Sequence, residues 1–237
     1  MPTPDRAPLI SLLSQWDGNH RRQDIAPSVY YNMLSQIVFL AMADEIGTDA
    51  VHSVSNGSLL KNSYLTLLSN DSSVWWDNVK TKELKETRTD IFTKAAVKTL
   101  SLLQQTSGSD PSGWAWEKIH TIKHNHPLGQ VKLLDGFFSV GPLPVPGGNE
   151  VINNLMFDLD TTGYFPVKSG PALRKITDFS DLGSGETASP TGQSGNVMSD
   201  FYSDQAEMFA NGQFRKMLTR REDIEKVTKG KLVILPK

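Results

Sequence analysis

The chain has 237 residues, with 24 lysines and arginines against 26 aspartates and glutamates, a net charge of −2, and no cysteine. Without thiols there is no disulfide scaffold, thiolate metal site or cysteine nucleophile, and the choice between cytosol and periplasm stays open. The balanced charge gives no reason to expect nucleic acid or an anionic membrane as partner, and the longest apolar run, Ile37–Ala43, is far below the roughly 20 residues a spanning helix needs.

The first third reads as helical. Asp24, Pro27 and Ser28 supply helix-start chemistry. Val29, Tyr30, Met33, Leu34, Ile37, Val38, Ala41 and Met42 then recur at three- and four-residue intervals, which predicts a helix with a wide buried face stopped by Gly47. Ser58–Leu68 is a weaker helical stretch. A further helix is expected to start near Thr89–Asp90, with Phe92, Ala96, Leu100 and Leu103 as its stripe and Ser107–Gly108–Ser109–Asp110–Pro111 as its stop. After Pro111, short apolar stretches alternate with glycine and proline: Ile119–His126, Phe137–Val140, Val151–Phe157, Leu173–Phe179 and Leu232–Leu235 read as strands. Pro142–Gly148 reads as a stiff irregular connection and Gly183–Gly195 as a polar loop. Phe201–Asn211 returns to helical spacing and is closed by Gly212. Helices first and strands afterwards predict an α+β fold, with residues 1–108 a helical lobe and residues 109–237 strand-rich.

Few residues carry candidate chemistry. On one strand face His120, His124 and His126 would align with Ile122 and could hold a metal. No carboxylate stands at matching spacing, and Glu117 would face the other way. Gly192–Gln193–Ser194–Gly195 lacks the G-x-S-x-G spacing and the lead-in strand of a nucleophile elbow, so it reads as a loop. Gly147–Gly148–Asn149 follows prolines and has no Lys-Ser/Thr, a poor match to a phosphate loop. The charges of Lys80–Lys98 read as a solvated helix face, and Trp75, Trp76, Trp114 and Trp116 as packing anchors. Removal of Met1 would expose the secondary amine of Pro2, a feature that is chemically silent in most proteins.

Taken in order, several segments resemble one family. They are Leu13-x-x-Trp16-Asp17-Gly18, Trp75-Trp76-Asp77, Glu86-Thr87-Arg88-x-Asp90-Ile91, Gly108-x-Asp110-Pro111-x-x-Trp114-x-Trp116 and Ile119-His120-x5-His126-Pro127-Leu128-Gly129. Gly141-Pro142-x-Pro144-x-Pro146-Gly147-Gly148, Gly170-Pro171-Ala172-x-Arg174, Asp178, Gly192-Gln193-Ser194-Gly195-Asn196 and Tyr202-x-Asp204-Gln205 continue the series. Together they resemble the C-terminal part of the β-chain of penicillin acylases (penicillin amidases), in the N-terminal-nucleophile hydrolase superfamily.

The resemblance implies a helical lobe followed by strands and an outer helix of an αββα sandwich, built from α- and β-chains cut from one precursor. It also implies hydrolysis of linear, non-peptide amides in small acylated compounds. The family's nucleophile is the serine that leads the β-chain, with its own α-amino group as base and a backbone N–H and an asparagine side chain holding the oxyanion. An α-amino group titrates near pH 8, close to where a general base works best.

Those groups are expected ahead of this segment. Ser11 and Ser14 have no propeptide cleavage context, so no catalytic, cofactor-binding or metal-binding role is transferred to any residue here. Residues 192–196 are expected to buttress the sandwich. No cofactor is expected, the structural calcium common in the family having its ligands elsewhere. The expected partners are the N-terminal part of the β-chain, the α-chain and a small acylated amide. Nucleic acid and membrane are not expected; self-association through an uncovered sheet is. The family is usually periplasmic or secreted, but residues 1–6 show no signal-peptide pattern. The alternatives are a degenerate acylase-like binding module and a metal-binding protein using His120, His124 and His126.

Overall fold

The computed structural model describes residues 7–236, apart from the side chains of residues 58–60; Pro2 and its amine lie outside them. In chain order the elements are α1 (Ala7–Ser14), α2 (Ala26–Ile46), α3 (Thr48–Ser55), α4 (Ser58–Ser69), α5 (Arg88–Ser107), β1 (Thr121–His124), α6 (Lys132–Phe138), β2 (Val140–Pro144), β3 (Arg174–Ile176), β4 (Glu186–Ala188), α7 (Ala206–Ala210), β5 (Arg215–Lys216) and α8 (Arg221–Val227). The chain is α+β. Among the described residues every helix of eight or more residues precedes Gly108 and every strand follows it. None of these helices is long and apolar enough to cross a membrane.

Two compact units divide the chain, one running up to Lys123 together with Pro142–Gly170, the other comprising His124–Gly141 with the residues from Pro171 onward. The first unit is centred on α2 and α5. Pro27 sits in the first turn of α2, where its missing N–H is not needed. Asp24 does not cap the helix. Its carboxylate accepts the Arg21 N–H at 2.9 Å, and Ile25 occupies the cap without a side-chain hydrogen bond. Gly47, at φ 82°, closes α2 and opens α3 at once. α5 starts on a capping box, in which Thr87 and Asp90 each bond the other's backbone N–H. Its buried residues, Ile91, Ala95, Ala96, Thr99, Leu100 and Leu103, include most of the predicted stripe.

Along α2 the buried set is wider than its apolar pattern, because it includes Ser28, Asn32, Ser35 and Gln36. Ser35 is fully buried and its hydroxyl has no hydrogen-bond partner. Ser35→Ala is therefore expected to stabilise the fold by about 1 kcal/mol, through better helix propensity and loss of an unpaired buried hydroxyl. A rise in the thermal midpoint checks this; a fall would show that the hydroxyl is engaged.

Trp76, Trp114 and Trp116 are buried, and each indole N–H donates to a backbone carbonyl: Asn70 at 2.7 Å, Gly108 at 2.7 Å and Gly147 at 2.8 Å. Trp75 is only half-buried. The charged stretch 80–98 is not one solvated helix face. Residues 80–87 precede α5, and the buried Glu86 accepts from Lys94 Nζ at 2.8 Å, from Thr81 Oγ1 at 2.8 Å and from the Asn78 N–H. Those donors hold the Glu86 carboxyl down to about 2, the Lys94 bond contributing most.

The predicted strands are shortened throughout. Of 119–126, only Thr121–His124 pairs, with β2, because the N–H groups of Ile119 and His120 turn back to the Trp116 carbonyl. Phe137 and Phe138 end α6, and only Val140 of that stretch enters β2, which also takes in Pro142 and Pro144 of the segment read as irregular. Both strands of a two-stranded sheet are edges, where proline is tolerated. Residues 151–157 make only isolated bridges, Gly148 to Asn154 and Met156 to Ser169. There the Asn149 side chain takes both backbone groups of Phe157 in place of a neighbouring strand.

In the second unit β3, β4 and β5 form an antiparallel sheet in that order, with Arg174 opposite Ala188 and Thr187 opposite Arg215. β4 falls inside the segment read as a polar loop. Residues 232–235 are exposed and form no strand. α7 covers only the second half of the predicted helix, since residues 201–205 are turns.

Candidate functional site

Four of the motifs quoted above converge on one aromatic knot in the first unit. Trp116 lies at its centre, 0 % exposed. One indole face stacks on Tyr31, with centroids 5.3 Å apart at 24°, and the ring also stacks on His120 at 4.5 Å and 18°. Phe157 and Phe165 complete the cluster at 5.6 and 5.9 Å from the indole. Tyr31 comes from α2, where the periodicity named Tyr30 instead. Tyr31 is the buried one of the pair, and Tyr30 lies at the edge. The sequence offered two adjacent tyrosines and no signal to choose between them.

The Gly147–Gly148–Asn149 segment lies against this knot. Gly147 has φ 89°, and a Cβ there would collide with the Asn153 carbonyl oxygen. The Gly147 N–H donates to the His20 carbonyl at 2.8 Å, and the Gly148 N–H to the Asn153 carbonyl at 3.3 Å. A phosphate loop needs its backbone N–H groups free. Here both are used within the fold, which removes the phosphate-binding reading. Gly148 instead leaves room for the Tyr31 hydroxyl and the His20 ring, each 3.1 Å from where a Cβ would stand. Asn149 Nδ2 donates to the Phe157 carbonyl at 3.0 Å, and its Oδ1 accepts the Phe157 N–H at 3.0 Å. Glu150 follows at φ 56°, the one non-glycine residue with positive φ among the described residues.

The histidines differ in what holds them. His120 is fully buried, with Nδ1 2.8 Å from the Phe165 carbonyl, so Nδ1 carries the proton. Its Nε2 is buried without a partner. Burial is the main cause that lowers its pKa to about 4; the Phe165 bond opposes the shift and nearby His20 adds to it. His20 Nδ1 faces the Gly18 carbonyl at 3.0 Å and its Nε2 the Tyr31 hydroxyl at 3.1 Å. Burial lowers the pKa of His20 and raises that of Tyr31.

In the second unit, burial lowers the pKa of His124, whose ring lies edge-on to Phe209 at 6.4 Å. His126 Nδ1 accepts the Leu128 N–H at 3.1 Å, and its ring stacks on Phe138 at 5.0 Å. The three residues of the predicted histidine cluster thus have separate partners, and only His124 lies in β1. Among the described residues no group of three histidine, aspartate or glutamate side chains could hold a metal ion.

His120 gives a test by pH. A base whose folded-state value lies near 4 and whose unfolded value lies near 6.5 stays neutral in the fold while the unfolded chain takes up a proton. Its stability contribution is present above about pH 6.5 and is lost as pH falls towards 4, an effect on the order of 3 kcal/mol. His120→Phe is expected to flatten that part of the stability–pH curve, measured as urea midpoints at pH 7 and 4.5. An unchanged slope would contradict the assignment.

The remaining motifs also hold the fold. Gly192 approaches the chain at residues 201–202 so closely that a Cβ would collide with the Phe201 carbonyl. The N–H groups of Gly192, Gln193 and Ser194 donate to the carbonyls of Tyr202 and Phe201 at 2.9–3.0 Å. Ser194 Oγ accepts the Asn196 N–H at 3.1 Å, a local turn and no nucleophile geometry. The buried Gln205 accepts the Ser189 N–H. Arg174 lies 3.7 Å over the Phe209 ring and donates to the Phe209 carbonyl at 2.6 Å.

The family model described as penicillin amidase matches residues 2–226. This chain belongs to the penicillin amidase family. Among relatives of this penicillin amidase chain, the acyl-homoserine lactone acylase QuiP of Pseudomonas syringae pv. syringae (strain B728a) is 31% identical over 173 residues, 72% of this chain and 20% of that protein. The QuiP acylase of Pseudomonas fluorescens (strain Pf-5) is 25% identical over 233 residues, covering 95% of this chain and 27% of that protein. The chain therefore spans about a fifth to a quarter of the length of these relatives. A thermostable penicillin G acylase from Alcaligenes faecalis aligns over the whole chain and 44% of its own, at TM-score 0.48 and 16% identity.

Proposed function

We propose that this chain is a C-terminal β-chain segment of an acylase that hydrolyses the linear amide joining an acyl group to a small amine, N-acyl homoserine lactones being the first substrates to try. Within that enzyme the segment is supporting structure for the αββα sandwich. The leading serine and the oxyanion asparagine come from the rest of the molecule. The observation that carries this reading is the penicillin amidase match over residues 2–226. The acyl-homoserine lactone acylase relatives point to the substrate class. The residues of the shared motifs are engaged in packing and backbone bonding, consistent with a supporting role.

The second unit keeps Leu133, Phe179 and Phe201 exposed, and we assign that surface to the remaining acylase chains, with self-association when they are absent. The functional test is a chimera in which residues 2–226 replace the matching segment of the Pseudomonas syringae acylase. Release of homoserine lactone from an N-acyl homoserine lactone is expected to be retained. A folded, processed chimera without turnover would overturn the proposal.

A further inference from the structure

Leu232, Val233, Ile234 and Leu235, in the second unit, are each 61–85 % exposed. Their backbone N–H and C=O groups make no hydrogen bond among the described residues. The stretch nevertheless has the composition of a strand: four consecutive large apolar residues, two β-branched ones at the centre, bounded by Lys231 and Pro236. Side chains alternate between faces along a strand, so Leu232 and Ile234 share one face and Val233 and Leu235 the other. A strand with one wet face carries polar residues at every second position, whereas one that is apolar throughout needs cover on both. α8, just before it, is in the same condition. It buries nothing, and Ile224 and Val227, three residues apart and so on one side of the helix, are both exposed. Residues 228–231 join Val227 to Leu232, an ordinary length for a helix-to-strand connection.

We propose that α8 and residues 232–235 form a helix–strand unit that docks on the remaining part of the acylase. Residues 232–235 add as a strand to the edge of one of its sheets, and Ile224 and Val227 lie over the same sheet. The inference rests on the acylase reading, which supplies the partner. The matched segments make up only 20% and 27% of two of its acylase relatives, so most of such an enzyme lies outside this chain. An added strand pairs its open N–H and C=O groups with that edge, and the αββα arrangement gives it a sheet on one face and helices on the other. A second copy of this chain does not meet the same need. Two such stretches paired together make a two-stranded ribbon wet on both faces, which is marginal in water. Lys231 and Pro236 confine the pairing to the stretch between them.

Hydrogen exchange read by mass spectrometry tests it on this chain and on a chimera in which residues 2–237 replace the Pseudomonas syringae acylase from the start of the matching segment to its C-terminus. In the chain alone the amides of Val233, Ile234 and Leu235 are expected to exchange as in an unstructured peptide. In the folded, processed chimera they are expected to slow at least about a hundredfold. Free exchange there overturns the proposal. So does protection in the chain alone that grows with its concentration, which would make a second copy the partner. Val233→Asp and Ile234→Asp are adjacent and so probe opposite faces. Each is expected to lower the thermal midpoint of the chimera and to leave that of the chain alone unchanged. A chimera indifferent to either variant contradicts cover on both faces. A chain destabilised by either contradicts docking on a separate body, and that arm holds even if the variant chimeras do not fold. Turnover is read separately, as release of homoserine lactone. Protection without turnover defeats the acylase reading and leaves the strand standing; turnover without protection does the reverse.

Discussion

Trp116→Ala is expected to lower the unfolding free energy by about 4 kcal/mol, the largest loss from any single side chain of the aromatic knot. Three effects combine. The substitution opens a cavity among Tyr31, His120, Phe157 and Phe165, removes stacking on Tyr31 and His120, and leaves the Gly147 carbonyl without its indole donor. Against a typical total of about 5–15 kcal/mol, that brings the fold close to its stability limit. Trp116→Phe separates the causes, because it keeps an aromatic ring and removes only the N–H and part of the volume. Its expected loss is about 2 kcal/mol. Urea midpoints for the two variants check both values. Equal losses would mean that the hydrogen bond to Gly147, and not the packing, dominates.

Gly147→Ala is the second large effect, expected to exceed about 3 kcal/mol. Alanine at φ 89° is strained by itself. The new methyl also meets the Asn153 carbonyl, a backbone atom that receives the Gly148 N–H and has little freedom to retreat. Gly148→Ala is the control. Its Cβ meets only side-chain atoms, of His20 and Tyr31, at 3.1 Å. A loss smaller by at least about 1 kcal/mol is expected for it. If the two glycines respond alike, positive φ and the Asn153 contact are not what holds the turn.

The sequence was most legible where periodicity and capping coincide. α2 and α5 each carry a long buried set and a glycine stop, and the start expected near Thr89–Asp90 lies within a residue of the observed Arg88. Short elements carried weaker signals. α1 and α3 are eight residues each, α6 contains Gly136, and α8 buries nothing and is held by surface pairs such as Arg221–Glu225. Strand lengths were overread because side chains replace ladder bonds. Asn149 occupies both backbone groups of Phe157 from eight residues away, a long-range choice that no local pattern announces. The same applies to the candidate site. His120, Gly147 and Trp116 stood out as motif residues, but their convergence with Tyr31 and His20 depends on tertiary contact. The ordered motifs pointed to the family before any contact was known. Those that are buried turn out to be the residues whose indole, amide and glycine geometry fixes the fold.

We propose that this segment supports the chemistry and does not perform it. The most direct measurement is mass-spectrometric detection of free homoserine lactone after incubating the purified chain with an N-acyl homoserine lactone, alongside the chimera. The chain alone is expected to release none above the buffer rate while the chimera turns over. Catalytic release by the chain alone would contradict the account.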